Sequence, residues 1–133
     1  MTVQYHVDTD WTIHYLNNQE NIVPRLQELQ RQNSLALSII ALTELYEGVY
    51  YSREPEEDEA ALRDFLRGVT LLGIDERPCQ IFGKERGRLR AAGMMVGDCD
   101  RLIGATALCH ALTLLTNNRR HFERIAGLRM ESL

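Results

Sequence analysis

The sequence predicts an α/β fold: a three-layer α/β/α sandwich built on a mainly parallel central sheet of four to five strands. Two observations carry this. Short apolar, β-prone runs alternate with stretches of helical spacing along the whole chain, and strand–helix alternation forces parallel pairing with helices on both sheet faces. No repeat, low-complexity tract or Gly/Pro-rich linker interrupts the alternation, so residues 1–133 read as a single domain.

Each element has its own signal. Val3 to Val7 contains β-formers in alternating polarity and reads as the first strand. Thr9 to Asn17 is short and helix-like. Ile22, Leu26 and Leu29 set helical spacing over Ile22 to Gln32. Leu35 to Ser38 is a brief apolar run, a buried strand. Leu42, Leu45, Tyr46 and Val49 return to helical spacing over Ile40 to Tyr51. Pro55, in a charged segment, marks a turn feeding a helix from about Glu57 to Arg67, stopped by Gly68. Val69 to Ile74 is a third strand. Glu76 to Ala92 is a long, Arg-rich helix ended by Gly93, and Asp98 is the expected N-cap of a helix running to about His110. Leu112 to Thr116 is the next strand, and Arg129 to Glu131 a last, edge strand.

Composition bounds the function. An apolar share of 44% and a charged share of 26% are those of a globular protein. A net charge of −4 argues against a broad nucleic-acid-coating surface but leaves room for a local basic rim. The three cysteines, Cys79, Cys99 and Cys109, form no C-x-x-C pair and are expected to be reduced, small buried hydrophobes. No apolar run approaches the ~18 residues of a membrane span, and no signal peptide is visible, so the cytoplasm is the expected compartment.

The chemistry-bearing residues lie at element ends. Asp8 closes the first strand, and Asn118 follows the strong apolar run Leu114-Leu115-Thr116. Glu44 sits in a helix where Lys and Arg are absent between Leu35 and Ser52, so no local cation answers it. Asp98 and Asp100 open a helix whose continuation, Leu102 to Leu108, is apolar and small. Asp98 has a ready explanation as a cap; Asp10 reads as a cap or supporting group. In an open parallel sheet the carboxyl ends of the strands share one edge, where ligand crevices form. Carboxylates gathered there repel one another and repel phosphate unless a divalent cation joins them. Mg²⁺ prefers such oxygen donors together with substrate phosphate oxygens, so the set points to metal-assisted phosphodiester cleavage. Arg119 and Arg120 adjoin the proposed site and Arg101 stands beside Asp100, placing charge where a phosphate backbone would need it. The four histidines lack metal-ligand spacing.

These residues resemble the PIN-domain ribonucleases, specifically VapC-like toxins of toxin–antitoxin pairs, over essentially the whole chain. Val7-Asp8-Thr9-Asp10 resembles the family's opening motif. Ser38 to Gly48 is similar to the second motif, with Glu44 in the acidic position. Gly97 to Ala107 resembles the third, with Asp100 as its acid, and Leu115 to Phe122 with Gly127-Leu128 resembles the closing segment. The resemblance implies a PIN-like sandwich and a Mg²⁺- or Mn²⁺-dependent endoribonuclease acting on structured RNA such as tRNA. It further implies a homodimer silenced by a small, VapB-like antitoxin. It makes Asp8, Glu44, Asp100 and Asn118 the catalytic set, with Asp8 and Asp100 as metal ligands and Glu44 or Asp98 as further candidates. Thr9 and Thr116 would support the site by hydrogen bonds. Asn118 stands where many relatives have Asp, and Gly104 where Ala is usual.

Two other readings are open at this point. One is a catalytically weak PIN fold that docks RNA or a partner. The other is a haloacid-dehalogenase-type phosphatase, suggested by the D-x-D-x-T run Asp8 to Thr12, with Ser38, Lys84 and Asp98 in the later roles. The helices at Ile22–Gln32 and Ile40–Tyr51 carry Leu26, Leu29, Tyr46, Val49, Tyr50 and Tyr51, a candidate groove for an antitoxin segment.

Overall fold

A computed structural model describes residues 2–94 and 97–133; Met1, Met95 and Val96 lie outside them. The elements are β1 (Tyr5–Val7), α1 (Thr9–Leu16), α2 (Val23–Arg31), β2 (Leu35–Ser38), α3 (Ile39–Tyr50), α4 (Pro55–Leu66), β3 (Thr70–Leu72), α5 (Glu76–Ala91), α6 (Asp98–Cys109), β4 (Thr113–Leu115), α7 (Arg119–Phe122) and β5 (Met130–Glu131). The sheet has five strands in the order β3-β2-β1-β4-β5, and every pairing is parallel. The expected α/β sandwich is the observed architecture.

That order places the site. The chain builds β1, β2 and β3 outward in one direction, then returns to lay β4 on the free side of β1. The reversal makes the carboxyl ends of β1 and β4 a topological switch point, the place where ligands bind in open parallel sheets. Register puts Val7 of β1 beside Leu115 of β4, so the next residues of each strand, Asp8 and Thr116, emerge as neighbours.

Burial explains why these short strands hold. All four residues of β2 are buried, so both faces of the sheet are covered. Leu35 and Leu37 join Val7, Leu114, Trp11, Leu26, Leu29, Phe65 and Phe122 in the main core, while Ala36 packs with Ala107 and Leu112 in a second. Inside α6, Ile103 to Ala107 are buried. A Cβ on Gly104 would lie 2.6 Å from Ile125 Cδ1, so the glycine lets α6 sit close to the turn after α7.

Local chemistry sets the boundaries. Ser38 Oγ accepts a hydrogen bond of 3.1 Å from Ala41 N, which lets β2 pass into α3 with no loop. Pro55 occupies the first turn of α4, so this helix begins earlier than Glu57, with Glu56, Glu57 and Asp58 at its positive end. Gly93, at φ 71°, closes the turn after α5.

Several expectations need correction. Gly97, not Asp98, is the N-cap of α6; Asp98 is its first residue. Cys79 and Cys99 are exposed and Cys109 is half-buried, since each falls on a helix position turned from the core. The candidate groove is split: Leu26, Leu29 and Val49 are core residues, while Tyr50 and Tyr51 are exposed. The single-turn α7 is absent from the sequence reading, because four residues show no periodicity. Among the described residues no helix is long and apolar enough to cross a membrane.

Candidate active site

Asp8 stands where β1 gives way to α1, in extended backbone and with no side-chain cap bond. Its carboxylate is nearly enclosed, at 4% exposure, and Oδ2 accepts a 2.8 Å hydrogen bond from Thr116 Oγ1. Burial, followed by the charge of Asp10, pushes the Asp8 carboxyl up to about 7 against the pull of Thr116. Asp10, in the first turn of α1, bridges back to the β4 end. Its Oδ2 accepts from Asn117 N at 2.8 Å and its Oδ1 from Trp11 N at 2.8 Å.

Two more acids face the same edge. Glu44, on α3, has Oε1 held at 2.8 Å by the Thr9 hydroxyl. Asp100, in the first turn of α6, lies 3.2 Å from Nδ1 of His121 on α7. Burial raises the Asp100 carboxyl, Glu44 and Asp10 raise it further, and His121 opposes them. Asp8 feels the charge of Asp10, and Asp100 that of Glu44 and Asp10, so residues distant in sequence share one electrostatic neighbourhood. The Cys99 thiol is also raised, by burial and then by Glu44, Asp100 and Asp98.

Among the described residues no three carboxylate, imidazole or thiol groups stand close enough to hold a metal ion as they are placed. The donor chemistry nonetheless fits a hard divalent cation. It is carboxylate oxygen at the switch point of the sheet, and burial, with repulsion from neighbouring carboxylates, has raised two of its members.

The remaining candidates divide. Thr9 and Thr116 make the hydrogen bonds given above. The Asn118 side chain makes no cap bond on α7; its backbone N donates to Thr116 Oγ1 at 3.0 Å. The neighbouring Asn117 is the engaged amide, with Oδ1 accepting from Trp11 Nε1 at 2.9 Å and from Leu133 N at 3.0 Å. Asp98 turns away from the acid set to Arg101, at 2.7 Å, and Arg86, at 3.9 Å. Arg101 is a correction: at 6% exposure, paired with Asp98 and stacked over Phe82, its guanidinium is committed to the α5–α6 junction and not presented to RNA. Arg119 and Arg120 are exposed, and Arg119 Nη1 donates to Ser132 Oγ at 3.1 Å.

Sequence reasoning gave Asp10 only a cap or supporting place and set His121 aside with the other histidines for want of metal-ligand spacing. The D-x-D spacing carries a signal for Asp10; His121 has none, because its partner belongs to another helix. His6 is an ordinary packed histidine. Its Nε2 accepts from Ser38 N at 3.0 Å, and burial lowers its pKa to about 4.

A carboxylate cluster at the switch point of a parallel sheet, with arginines beside it, is the arrangement of a phosphodiester-cleaving enzyme. The PIN domain family matches residues 5–128 of this chain. The chain is 32% identical over 131 residues to Ribonuclease VapC2 of Haemophilus influenzae, covering 98% of each protein. It is 31% identical over 129 residues to the tRNA(fMet)-specific endonuclease VapC of Shigella flexneri, covering 97% of each. It superposes with a TM-score of 0.90 on a chain of VapBC2 from Rickettsia felis bound to a DNA fragment from their promoter, at 29% identity over 100% of this chain and 99% of that one. The chain therefore belongs to the PIN-domain family and, within it, to the VapC-like ribonucleases. It is a nuclease, and the phosphatase reading of Asp8 to Thr12 falls away.

Proposed function

We propose that this chain is a Mg²⁺- or Mn²⁺-dependent endoribonuclease that hydrolyses phosphodiester bonds in structured RNA such as tRNA. It acts as the toxin of a toxin–antitoxin pair, as a homodimer held silent by a small VapB-like antitoxin. One observation carries the proposal: Asp8, Asp10, Glu44 and Asp100 gather at a single sheet edge, where burial and then the charge of Asp10 raise Asp8, and burial with the charges of Glu44 and Asp10 raises Asp100. The names of the relatives support the substrate, and the VapBC complexes support the partner.

Asp8 and Asp100 are the residues that would hold the cation, with Glu44 beside them. When bound, a divalent cation would polarise the scissile phosphate and acidify a water. The protein's own groups do the rest. Thr116 fixes Asp8, and Thr9 fixes Glu44. Glu44, so oriented, takes the proton of the attacking water as the new P–O bond forms and the ester P–O bond breaks. The leaving oxygen takes its proton from solvent. Arg119 and Arg120, exposed past the end of β4, neutralise flanking phosphates.

The open spacing of the acids favours one second reading, a PIN fold that docks RNA without cutting it. Incubating purified protein with total RNA, with Mg²⁺ or Mn²⁺ and then with EDTA, separates the two. RNA-end sequencing of wild type and Asp100→Ala should show discrete new ends only for wild type with metal. Intact RNA under every condition, with RNA still bound, would establish the docking reading instead.

A further inference from the structure

His121 has no part in the chemistry above, yet it touches Asp100 at 3.2 Å. Its placement is not accidental. Phe122 is fully buried and pins the single turn α7 into the core. His121 N donates to Asn118 O at 2.9 Å and Glu123 N to Arg119 O at 2.8 Å, so the turn is closed by its own backbone. The residue beside the Phe122 anchor is thereby held against the first turn of α6. Both side chains remain open to solvent, at 57% for His121 and 25% for Asp100, so an ion from solution can reach them. Asp100 is crowded by Glu44 and Asp10, and a cation relieving that repulsion would sit next to the imidazole.

We propose that His121 is a nitrogen ligand of the catalytic cation, sharing it with Asp100, and that this makes the site selective for transition-metal cations over Mg²⁺. The proposal rests on the metal-dependent reading above. Imidazole is the commonest side-chain ligand for such metals, and its preference rises from Mn²⁺ to Co²⁺. Mg²⁺ favours oxygen and gives up its waters reluctantly.

The test is calorimetric titration of the whole protein with MgCl₂, MnCl₂ and CoCl₂, for wild type, His121→Ala and His121→Gln. Gln keeps a polar group against Asp100 without an imidazole. Melting temperatures without added metal confirm that each variant is folded. The expected result is a Co²⁺ dissociation constant raised about tenfold or more in both variants, with Mn²⁺ affected less. Mg²⁺ should change by less than about twofold, and the visible spectrum of bound Co²⁺ should shift as the nitrogen donor is lost. Equal weakening for Mg²⁺ and Co²⁺, or no change in either, would make His121 an ion-pair partner of Asp100 and overturn the proposal alone. If no cation binds wild type, the metal-dependent reading fails first and takes this one with it.

Discussion

On the outer helices α4 and α5, carboxylates have arginines one turn away: Glu59 with Arg63 at 3.3 Å, Asp64 with Arg67 at 3.9 Å, and Glu85 with Arg88 at 2.8 Å. At the carboxyl edge of the sheet, Asp8, Asp10 and Glu44 have hydroxyls and backbone amides for partners, and Asp100 has His121. Among the described residues no Lys or Arg pairs with any of these four. Arg101, which could have served, is turned to Asp98 instead. The same side-chain chemistry is thus neutralised where it only decorates a surface and left uncompensated where a ligand is to bind. Exposed pairs of the first kind contribute little, about 0.3–0.5 kcal/mol each. Uncompensated charge of the second kind, buried at Asp8 and half-buried at the other three, costs stability in the free protein and is recovered when a cation arrives.

The sharpest way to break this contrast is Asp8→Asn, which keeps the Thr116 partner and removes the charge. RNA cleavage should fall by about a hundredfold or more, measured with a labelled tRNA under single-turnover conditions. Stability should move the other way. The folded-state pKa of Asp8, about 7, lies above the model-peptide value of 3.8. The folded protein therefore binds the extra proton between those values. The resulting stabilisation is fully present below about 3.8 and is lost as pH rises through about 7. Metal-free Asp8→Asn should thus be more stable than wild type at pH 8, by on the order of a few kcal/mol at most. His6 acts with opposite sign. Its pKa is lowered from 6.5 to about 4, so its contribution falls as pH drops through that window. It is common to both proteins and cancels in the difference. Denaturant melts of the pair from pH 4 to 8 check this, and equal pH profiles would remove Asp8 from the set of strained acids.

Thr116→Val comes next. It deletes the hydroxyl that donates to Asp8 and accepts from Asn118 N. We expect cleavage to drop about tenfold to a hundredfold and stability by about 1–2 kcal/mol, read by the same assay and by thermal melts. Arg119→Ala with Arg120→Ala should weaken RNA binding roughly uniformly across sequences. The slope of log affinity against log salt should shrink by about 2, measured by fluorescence anisotropy. An unchanged slope would place the RNA elsewhere. Arg63→Ala, on the outer face of α4, is the control. Cleavage should not change, and stability should change by no more than about 0.5 kcal/mol.

Much of this molecule was legible in the chain. β2 and β4 show as apolar runs because strands covered on both faces have no polar side to present. Asp8 and Glu44 stood out because each is an acid placed where the local pattern demands burial, with no Lys or Arg nearby in sequence, and Asp100 because it opens an apolar, small-residue helix. Less was legible where partners come from elsewhere. Asp98 and Asp100 have the same local setting at the start of α6, and one turns to Arg101 while the other faces His121. Asn117 and Asn118 are adjacent and chemically identical, yet only Asn117 is gripped by Trp11 and Leu133. Arg101 looked like surface charge because helix spacing does not reveal Phe82 on a neighbouring helix.

The sequence by itself determined the alternation of strands and helices, hence the parallel sheet, with Asp8 and Asp100 at element ends and Glu44 inside a helix. These follow from local hydrophobic period and from the cost of burying charge. Only the tertiary structure decided which acids remain without a cation, that His121 meets Asp100, and that the switch point falls between β1 and β4. Those depend on strand order and on which helix faces pack together. Such pairings join residues up to 108 positions apart, and no local pattern records them.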